Sequence, residues 1–251
     1  MLMLALAIDA LASIPNVKLN NGVEFPMISL GTWQYSTQQA TDVVKLGLSL
    51  GFNHIDTAND YRNQEGVGAA LKGVNRSSYF LTTKVPSQPL AASAYKSTMK
   101  DLDDDLSQLG LAFVDLMLLH FPPMGNVKEC GAMQEQWRAM EDFYKAGKAR
   151  AIGVSNYCPS SFECIFKTAN VTPAVNQVQY HIGMGADPGG IKSYCAKKGV
   201  VLQAYSPLGD GTTELINGPL VSGIGKAHNK TGAQVALRWV VQQGSAPPDA
   251  P

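Results

Sequence analysis

The sequence predicts an α/β fold of the (β/α)8 TIM-barrel type, with an N-terminal β-hairpin and with the eighth βα unit missing. Its 251 residues match the size of a single barrel domain. Apolar runs of strand length alternate with longer segments of helical period, which is typical of βα units around a parallel sheet. Near the start, Asn21-Gly22 separates two short strand-like runs between Val17 and Phe25, and this dipeptide is a strong hairpin signal.

The apolar runs after the hairpin predict seven strands. In chain order they are Ile28–Trp33, Phe52–Thr57, Tyr79–Val85, Val114–His120, Arg150–Ser155, Ala174–Tyr180 and Val200–Tyr205. Each run is short and rich in β-branched, aromatic or other apolar residues, as strands buried on both faces are. This order of elements predicts a parallel sheet whose strands follow one another along the chain.

The segment between the third and fourth strands predicts a helix with one apolar face. Apolar residues recur there in alternating steps of four and three residues, at Tyr95, Met99, Leu102, Leu106 and Leu109. The opposite face is acidic, with Asp101, Asp103, Asp104 and Asp105. We interpret these four aspartates as a solvated helix face and not as a metal site.

Glycines mark the predicted helix ends, and a proline-rich stretch marks the end of the barrel. Gly51, Gly110, Gly147 and Gly199 each follow a periodic stretch and precede a strand, as left-handed C-cap residues do. A further helix is predicted over Thr231–Gln243, but residues 244–251 contain three prolines and cannot form a strand. We therefore expect a variable extension over 1–16, a C-terminally truncated barrel domain over 17–244 and a Pro-rich tail over 245–251.

The composition excludes some classes of partner. Twenty basic and twenty acidic residues leave no excess of positive charge for a nucleic-acid backbone. The apolar run Met1–Ile8 is too short to span a bilayer and lacks a preceding basic residue, so a secretory signal is the less favoured alternative. We expect a cytoplasmic monomer that binds neither nucleic acid nor membrane.

The four cysteines show no spacing typical of a metal site. Cys130, Cys158, Cys164 and Cys195 include no C-x-x-C pair, and no histidines lie at ligand spacing. We expect them to be reduced structural thiols of an intracellular protein.

Three predicted strands end on ionisable residues. Asp56, Lys84 and His120 close the second, third and fourth strands, and Tyr61 follows Asp56 by five residues. Because the carboxyl ends of barrel strands share one rim, these side chains are expected to meet. Singly, the acid could cap a helix and the histidine could be an ordinary core residue. Together, charged residues in succession at the ends of apolar strands indicate a functional site.

Tyrosine, lysine, aspartate and histidine together suit carbonyl chemistry. An adjacent ammonium stabilises a phenolate and lowers the pKa of the phenol, so Lys84 is expected to make Tyr61 a better proton donor. A carboxylate such as Asp56 keeps a buried lysine charged. His120 can donate a hydrogen bond to a carbonyl oxygen on which negative charge grows. The constellation therefore predicts a proton donor beside an oxyanion site.

These residues resemble the catalytic tetrad motifs of the aldo-keto reductases. The resemblance rests on His54-Ile55-Asp56-Thr57-Ala58 with Tyr61, on Lys84 at a strand end, and on Leu118-Leu119-His120-Phe121-Pro122. It runs from about Val17 to about Gly244, through further family-like motifs in family order. These are Leu30-Gly31-Thr32-Trp33, Glu65-Gly66-Val67-Gly68, Gly153-Val154-Ser155-Asn156, Asn176-Gln177-Val178 and Ala204-Tyr205-Ser206-Pro207-Leu208.

The resemblance implies NADPH-dependent reduction of a small-molecule aldehyde or ketone. Tyr61 would be the general acid, Lys84 and Asp56 would tune it, and His120 would position the carbonyl. Trp33 and Phe121, with His120, would border the substrate, and aromatic walls favour apolar or aromatic carbonyls. The implied cofactor-binding residues are Gly31, Thr32, Ser155, Asn156, Gln177, Tyr205, Ser206 and Leu208.

Departures from the family pattern leave two other functions open. The residues with which the family usually holds the adenosine 2'-phosphate, on and after the eighth strand, are missing, and the first and seventh strands would have unpaired edges, which predicts marginal stability. One alternative is a barrel that binds a cofactor or a partner protein without catalysis. The other is a Schiff-base aldolase that uses Lys84 as its nucleophile.

Overall fold

The N-terminal hairpin forms as predicted and packs against the barrel interior. The computed structural model describes residues 14–123, 130–210 and 213–243. Strands β1 (Asn16–Lys18) and β2 (Glu24–Pro26) pair antiparallel, with Val17 opposite Phe25. Gly22 adopts φ +85° in the turn, a conformation that glycine reaches without steric cost. The hairpin is therefore a local structure determined by its turn residues.

Seven parallel strands follow, each hydrogen-bonded to its neighbours in chain order. They are β3 (Leu30–Gly31), β4 (His54–Asp56), β5 (Phe80–Val85), β6 (Val114–Leu119), β7 (Ala149–Ser155), β8 (Val175–Gln179) and β9 (Val201–Tyr205). The seven predicted strands are confirmed, although most are shorter than expected. The first shrinks most, to two residues, and its flanking Ile28 and Trp33 are 40% and 50% exposed. Within the described residues, β3 and β9 each have one strand neighbour.

Helices connect the strands and cover the outside of the sheet. In the described part of the chain they are α1 (Thr37–Ser49), α2 (Gln64–Leu71), α3 (Ala91–Leu109), α4 (Gly131–Lys145), α5 (Pro159–Phe166), α6 (Ile191–Lys197), α7 (Thr213–Asn217), α8 (Pro219–His228) and α9 (Gly232–Gln242). Short 3-10 turns cover Asn59–Tyr61, Arg76–Ser78, Ile182–Met184 and Pro188–Gly190. The four glycines expected at helix ends all have positive φ, between 66° and 90°. The predicted helix over Thr231–Gln243 is α9, which begins with a capping box between Thr231 and Gln234.

Side chains alternate along the strands between two apolar clusters. On β6, Met117 and Leu119 belong to the cluster under the helices, whereas Leu116 and Leu118 belong to the inner cluster with the hairpin. This alternation is the period of two that any strand imposes. Lys84 lies opposite Leu118 in the register, so its side chain enters the barrel interior. A buried lysine at the strand end follows from this geometry.

Two of the four cysteines are joined, so the expectation of four reduced thiols is wrong. Cys130, which precedes α4, forms a disulfide with Cys164 of α5, and their Cα atoms are 5.0 Å apart. The two positions are 34 residues apart in sequence, and only the side-by-side packing of α4 and α5 brings them together. Cys158 is free and exposed, and Cys195 is free and buried.

None of the helices in the described residues is long and apolar enough to cross a membrane. The predicted proline-rich tail and most of the N-terminal extension lie outside the described residues. The expectations for those two segments therefore stay predictions. The hairpin, the order of the strands and the helix boundaries lie within the described residues, and these features define the fold.

The disulfide predicts the thiol count of the purified chain. Alkylation with iodoacetamide under denaturing, non-reducing conditions is expected to modify two cysteines, Cys158 and Cys195, because only these two are free. Intact mass after alkylation measures the count. Prior reduction should raise it to four, and Cys130→Ser should raise it to three without reduction. Four modified cysteines in the unreduced native chain would contradict the disulfide.

Candidate active site

The four predicted catalytic residues meet at the carboxyl ends of the strands. Asp56 is the last residue of β4, Lys84 lies near the end of β5, and His120 directly follows β6. Tyr61 ends the 3-10 turn Asn59–Tyr61, which follows β4. The rings of Tyr61 and His120 meet edge to face, with centroids 5.7 Å apart. Parallel strands in register therefore bring four separate motifs to one rim.

Lys84 is the centre of this cluster. Its side chain is fully buried and its ammonium donates to Asp56 Oδ1, to the backbone oxygen of Thr57 at 2.9 Å and to the Tyr61 hydroxyl at 3.2 Å. The second carboxylate oxygen of Asp56 accepts from Gln177 Nε2 at 2.6 Å. Burial lowers the pKa of Lys84, but Asp56 and then Tyr61 oppose this, and the net pKa is raised. Lys84 is therefore held as an ammonium.

The pKa of Tyr61 is raised, although Lys84 was expected to lower it. Burial of the phenol is the largest cause, because it disfavours the phenolate, and Asp56 acts in the same direction. Lys84 does lower the pKa through its charge and its hydrogen bond, but these effects are smaller. In the free protein Tyr61 is therefore a protonated phenol beside a cation. Tyr61 therefore carries the proton that a general acid donates.

His120 is held by contacts on three sides. Its ring stacks on Phe121, with centroids 4.5 Å apart, and its backbone oxygen accepts from Asn156 Nδ2 at 3.0 Å. Its Nδ1 lies 2.9 Å from Asp60 Oδ2. Burial and then Lys84 lower the pKa of His120, while Asp60 opposes them. The sequence-based reasoning did not select Asp60, although its position directly before Tyr61 places it in the same loop.

A cavity of about 710 Å³ opens beside these residues. Asp56, Tyr61 and His120 form part of its wall, and the predicted substrate residues Trp33 and Phe121 border it, 50% and 44% exposed respectively. Further apolar walls come from Phe25, Met27, Ile28, Leu237, Val240 and Val241. The reactive groups therefore face a space large enough for a small organic ligand.

Six of the eight predicted cofactor-binding residues line this cavity. They are Gly31, Ser155, Asn156, Gln177, Tyr205 and Ser206. The Tyr205 hydroxyl donates to Asn156 Oδ1 at 2.9 Å, and Gln177 Nε2 also donates to Gln203 Oε1 at 2.9 Å. These contacts hold amide and hydroxyl groups at the cavity wall.

The structure places Thr32 and Leu208 outside the lining. Gly31 and Trp33 reach the cavity, and Thr32 between them turns to the opposite side, as the alternation along an extended chain requires. The fully buried Thr32 hydroxyl donates instead to Thr57 Oγ1 at 2.9 Å. Leu208 is partly buried and is not among the residues that line the cavity. Thr32 thus ties the loop after β3 to that after β4.

Comparison with known proteins agrees with this geometry. Residues 27–249 match the family model described as the aldo/keto reductase family. The chain belongs to this family. The match confirms the resemblance seen in the sequence motifs, and the fold is that of its solved members.

Individual aldo/keto reductases are similar over nearly the whole chain. The glyoxal reductase of Bacillus subtilis is 39% identical over 231 residues, which cover 91% of this chain and 79% of that protein. A crystal structure of an aldo/keto reductase from Brucella melitensis has 35% identity and a TM-score of 0.82, covering 95% and 89% of the two chains. A Bombyx mori aldo-keto reductase, solved in complex with NADP, has 26% identity and a TM-score of 0.79, covering 94% and 83%.

Asp105 of α3 is buried behind the loop that carries Tyr61. Its Oδ1 accepts from Asn59 Nδ2 at 2.6 Å and from Gln64 Nε2 at 2.7 Å, while Gln64 Oε1 accepts from the Thr83 hydroxyl at 2.5 Å. Its Oδ2 has no hydrogen-bond partner among the described residues. Burial raises the pKa of Asp105 to about 7. Asp105 therefore links α3 to the turn that ends at Tyr61 and, through Gln64, to β5.

The interpretation of all four aspartates as a solvated face is wrong for Asp105. This residue follows the buried Leu102 by three positions and precedes the buried Leu109 by four, so it lies on the apolar face of α3. Asp103, by contrast, is exposed and pairs with Lys148. The helical spacing alone could have separated the two, because it places Asp105 among the apolar positions.

The buried carboxyl of Asp105 predicts a pH-dependent stability. Its folded pKa of about 7 lies above the ordinary 3.8, so its stabilising contribution is fully present below about pH 4 and is lost as the pH rises to about 7. At about 1.4 kcal/mol per pKa unit, the loss is at most about 4 kcal/mol. Asp105→Asn cannot titrate, so its free energy of unfolding should lack this loss. As the pH rises from about 4 to about 7, the free energy of unfolding of the variant should therefore increase by up to this amount relative to that of the native chain.

Urea unfolding of both proteins between about pH 4 and about pH 7.5 measures this difference. Asp103→Asn, on the exposed face of the same helix, is the matched control and should follow the native chain. If the free energies of unfolding of Asp105→Asn and of the native chain change with pH in the same way, the raised pKa of Asp105 is contradicted.

Proposed function

We propose that this chain catalyses NADPH-dependent reduction of an aldehyde or ketone to an alcohol, with Tyr61 as the proton donor. The observation that carries the proposal is the contact of 3.2 Å between the protonated Tyr61 hydroxyl and the Lys84 ammonium, at the wall of a cavity that His120 also borders. A phenol beside a cation can give up its proton to an oxygen that gains negative charge, because the cation stabilises the phenolate.

The cavity fits the nicotinamide end of such a cofactor. Ser155, Asn156 and Gln177 present the hydroxyl and amide groups that a carboxamide requires, and the ring of Tyr205 offers a face on which an aromatic ring can stack. The NADP complex of the Bombyx mori relative supports the phosphorylated form. When bound, the nicotinamide would supply the hydride to the carbonyl carbon.

The residues of the chain would then act on the carbonyl oxygen. His120 orients this oxygen, and Tyr61 transfers its proton to it as negative charge develops. Lys84 stabilises the phenolate that remains on Tyr61, because its ammonium is held in place by Asp56. Gln177, which donates to the other oxygen of Asp56, keeps that carboxylate oriented. Each member of the network has a separate task.

The walls of the cavity support apolar or aromatic carbonyl substrates. Trp33 and Phe121 flank the mouth, and Phe121 stacks on His120 directly beside the predicted position of the carbonyl oxygen. Such walls contribute binding through contact area and exclude water. The Bacillus subtilis relative is named for glyoxal, the smallest dialdehyde. Benzaldehyde, which suits the aromatic walls, and glyoxal, for which that relative is named, are the first two substrates to test.

The contacts of Lys84 disfavour the aldolase alternative. A Schiff-base lysine must be an uncharged amine to attack a carbonyl, and enzymes reach this state by lowering its pKa. Lys84 has a raised pKa, is paired with Asp56 and has no exposed surface. The remaining alternative is a barrel that binds without catalysis. Such a barrel would not require the buried hydrogen-bond network around Lys84.

Tyr61→Phe tests the proton donor. Removal of the hydroxyl should lower kcat for reduction of benzaldehyde by about a hundredfold or more, which is typical for loss of a general acid. NADPH oxidation followed at its absorbance band measures the rate. Tyr144→Phe, on α4 away from the cavity, should retain native activity. NADPH titration by intrinsic fluorescence should give similar Kd values for all three proteins, and unchanged turnover in Tyr61→Phe would rule out the assignment.

Borohydride trapping tests the aldolase alternative directly. Incubation of the chain with benzaldehyde and sodium borohydride should leave Lys84 unmodified, because its ammonium cannot form a Schiff base. Peptide mass mapping measures the modification, and exposed lysines such as Lys100 serve as the internal control for the reagent. Selective benzylation of Lys84 would favour the aldolase over the reductase.

A further inference from the structure

The contact between Asp60 and His120 adds a carboxylate to the four catalytic residues. Asp60 lies in the 3-10 turn Asn59–Tyr61, and its Oδ2 is 2.9 Å from His120 Nδ1. Its side chain is 47% exposed and forms part of the cavity wall, whereas that of His120 is 9% exposed. The turn therefore presents two functional groups side by side, the phenol of Tyr61 and the carboxylate of Asp60.

This contact restricts where the proton of His120 can reside. An ionised carboxylate accepts hydrogen bonds but cannot donate them, so Nδ1 must carry the hydrogen in the bond to Asp60. A neutral imidazole has only one N–H group, and its other nitrogen is then an acceptor. While Asp60 holds the hydrogen on Nδ1, Nε2 of the neutral ring presents a lone pair. Only the imidazolium form donates from both nitrogens.

The charges around His120 oppose one another. Lys84 of β5 disfavours the imidazolium, while Asp60 and Asp56 of β4 favour it. Tyr61 meets the ring edge-on and is uncharged, since its pKa is raised. The partly buried Asp101 of α3 interacts with Asp60, and its pKa is raised by burial and then by the charges of Asp104 and Asp60. Burial and Lys84 outweigh the carboxylates, so the pKa of His120 is lowered and the neutral ring is favoured at neutral pH. Among these acids, Asp60 is the one in direct contact with the ring.

We propose that Asp60 is a positioning residue that keeps the His120 hydrogen on Nδ1, so that Nε2 donates to a substrate carbonyl only in the imidazolium form and accepts from a substrate alcohol in the neutral form. The proposal rests on the reductase function proposed above. In reduction, NADPH is oxidised as its hydride adds to the carbonyl carbon and Tyr61 gives its proton to the oxygen. In the reverse direction the alcohol returns the hydride to NADP+ and its proton to the phenolate of Tyr61. His120 forms only hydrogen bonds in both directions.

The proposal makes the two directions depend oppositely on pH. Carbonyl reduction requires a donor at Nε2, so its kcat/KM should fall as the pH rises above the pKa of His120. Alcohol oxidation needs the phenolate of Tyr61 as well as an acceptor at Nε2, so its kcat/KM should rise with pH, and Tyr61 contributes to that rise. Reduction is therefore the direction that reports on His120, because Tyr61, whose pKa burial raises above the ordinary 10, stays a protonated phenol over this interval. Asp60→Leu frees Nδ1, so that a neutral His120 with hydrogen on Nε2 can donate to the carbonyl.

Nitrogen NMR of the 15N-histidine-labelled chain tests the tautomer without any activity. The native chain at about pH 8 should show His120 with hydrogen on Nδ1, and Asp60→Leu should shift it toward Nε2. His120→Gln identifies the His120 signals among the four histidines. Asp60→Asn, which keeps the size of the side chain, presents both an amide oxygen and an amide N–H to Nδ1, so its shift toward hydrogen on Nε2 should be smaller than that of Asp60→Leu. Hydrogen on Nε2 of the native neutral ring would overturn the proposal.

Rate profiles with benzaldehyde and NADPH, and with benzyl alcohol and NADP+, test the consequence. Between about pH 6 and about pH 8.5 the native kcat/KM for reduction should approach a tenfold loss per pH unit, as for a single essential protonated group. In Asp60→Leu the loss should be less than about twofold over the same interval. Asp103→Asn, which removes a carboxylate on the exposed face of α3 that pairs with Lys148, is the control and should keep the native profile.

The two measurements separate failure of this proposal from failure of the reductase function. A native chain that turns over neither substrate, yet shows the Nδ1 hydrogen, would refute the reductase function and leave the role of Asp60 in the tautomer supported. A chain that reduces benzaldehyde with the same pH profile in the native form and in Asp60→Leu would refute the role of Asp60. Similar NADPH Kd values in the two proteins would show that the variant retains its fold.

Discussion

The buried ion pair between Lys84 and Asp56 is the interaction on which the rest of the site depends. Charges taken out of water are strongly destabilising unless each hydrogen-bonding group finds a partner. Here the three hydrogens of the ammonium reach Asp56, Thr57 and Tyr61, and the second carboxylate oxygen is used by Gln177. The network joins β4, β5 and β8 across the barrel interior. Removing either charge would leave the other buried and unpaired, so the pair constrains the sequence at several strand ends together.

Much of the fold and the site could be predicted because the relevant signals are local and periodic. Asn21-Gly22 determines the hairpin turn, and apolar runs mark the strands. Since parallel strands end at one rim, Asp56, Lys84 and His120 had to meet once their strands were assigned. The alternation of side chains along a strand also separates Gly31, which lines the cavity, from Thr32, which does not. That distinction follows from geometry once the strand is placed.

The remainder depends on balances and contacts that sequence spacing does not contain. Lys84 lowers the pKa of Tyr61 and burial raises it. Which effect is larger depends on how deeply the phenol is buried, and the sequence does not give this depth. The pairing of Cys130 with Cys164 requires the packing of two helices. Asp60 was overlooked because an exposed acid in a loop has many ordinary explanations, and only its distance to His120 singles it out.

The disulfide has a consequence for the segment that contains Ser155 and Asn156. Cys130 and Cys164 close a covalent ring that includes β7, Ser155 and Asn156. A cross-link over 34 positions restricts the unfolded chain and is worth roughly 3 to 4 kcal/mol of folding stability in the chain-entropy model. Reducing surroundings would remove that restriction. The redox state of the compartment therefore influences how firmly the two residues next to the proposed nicotinamide site are held.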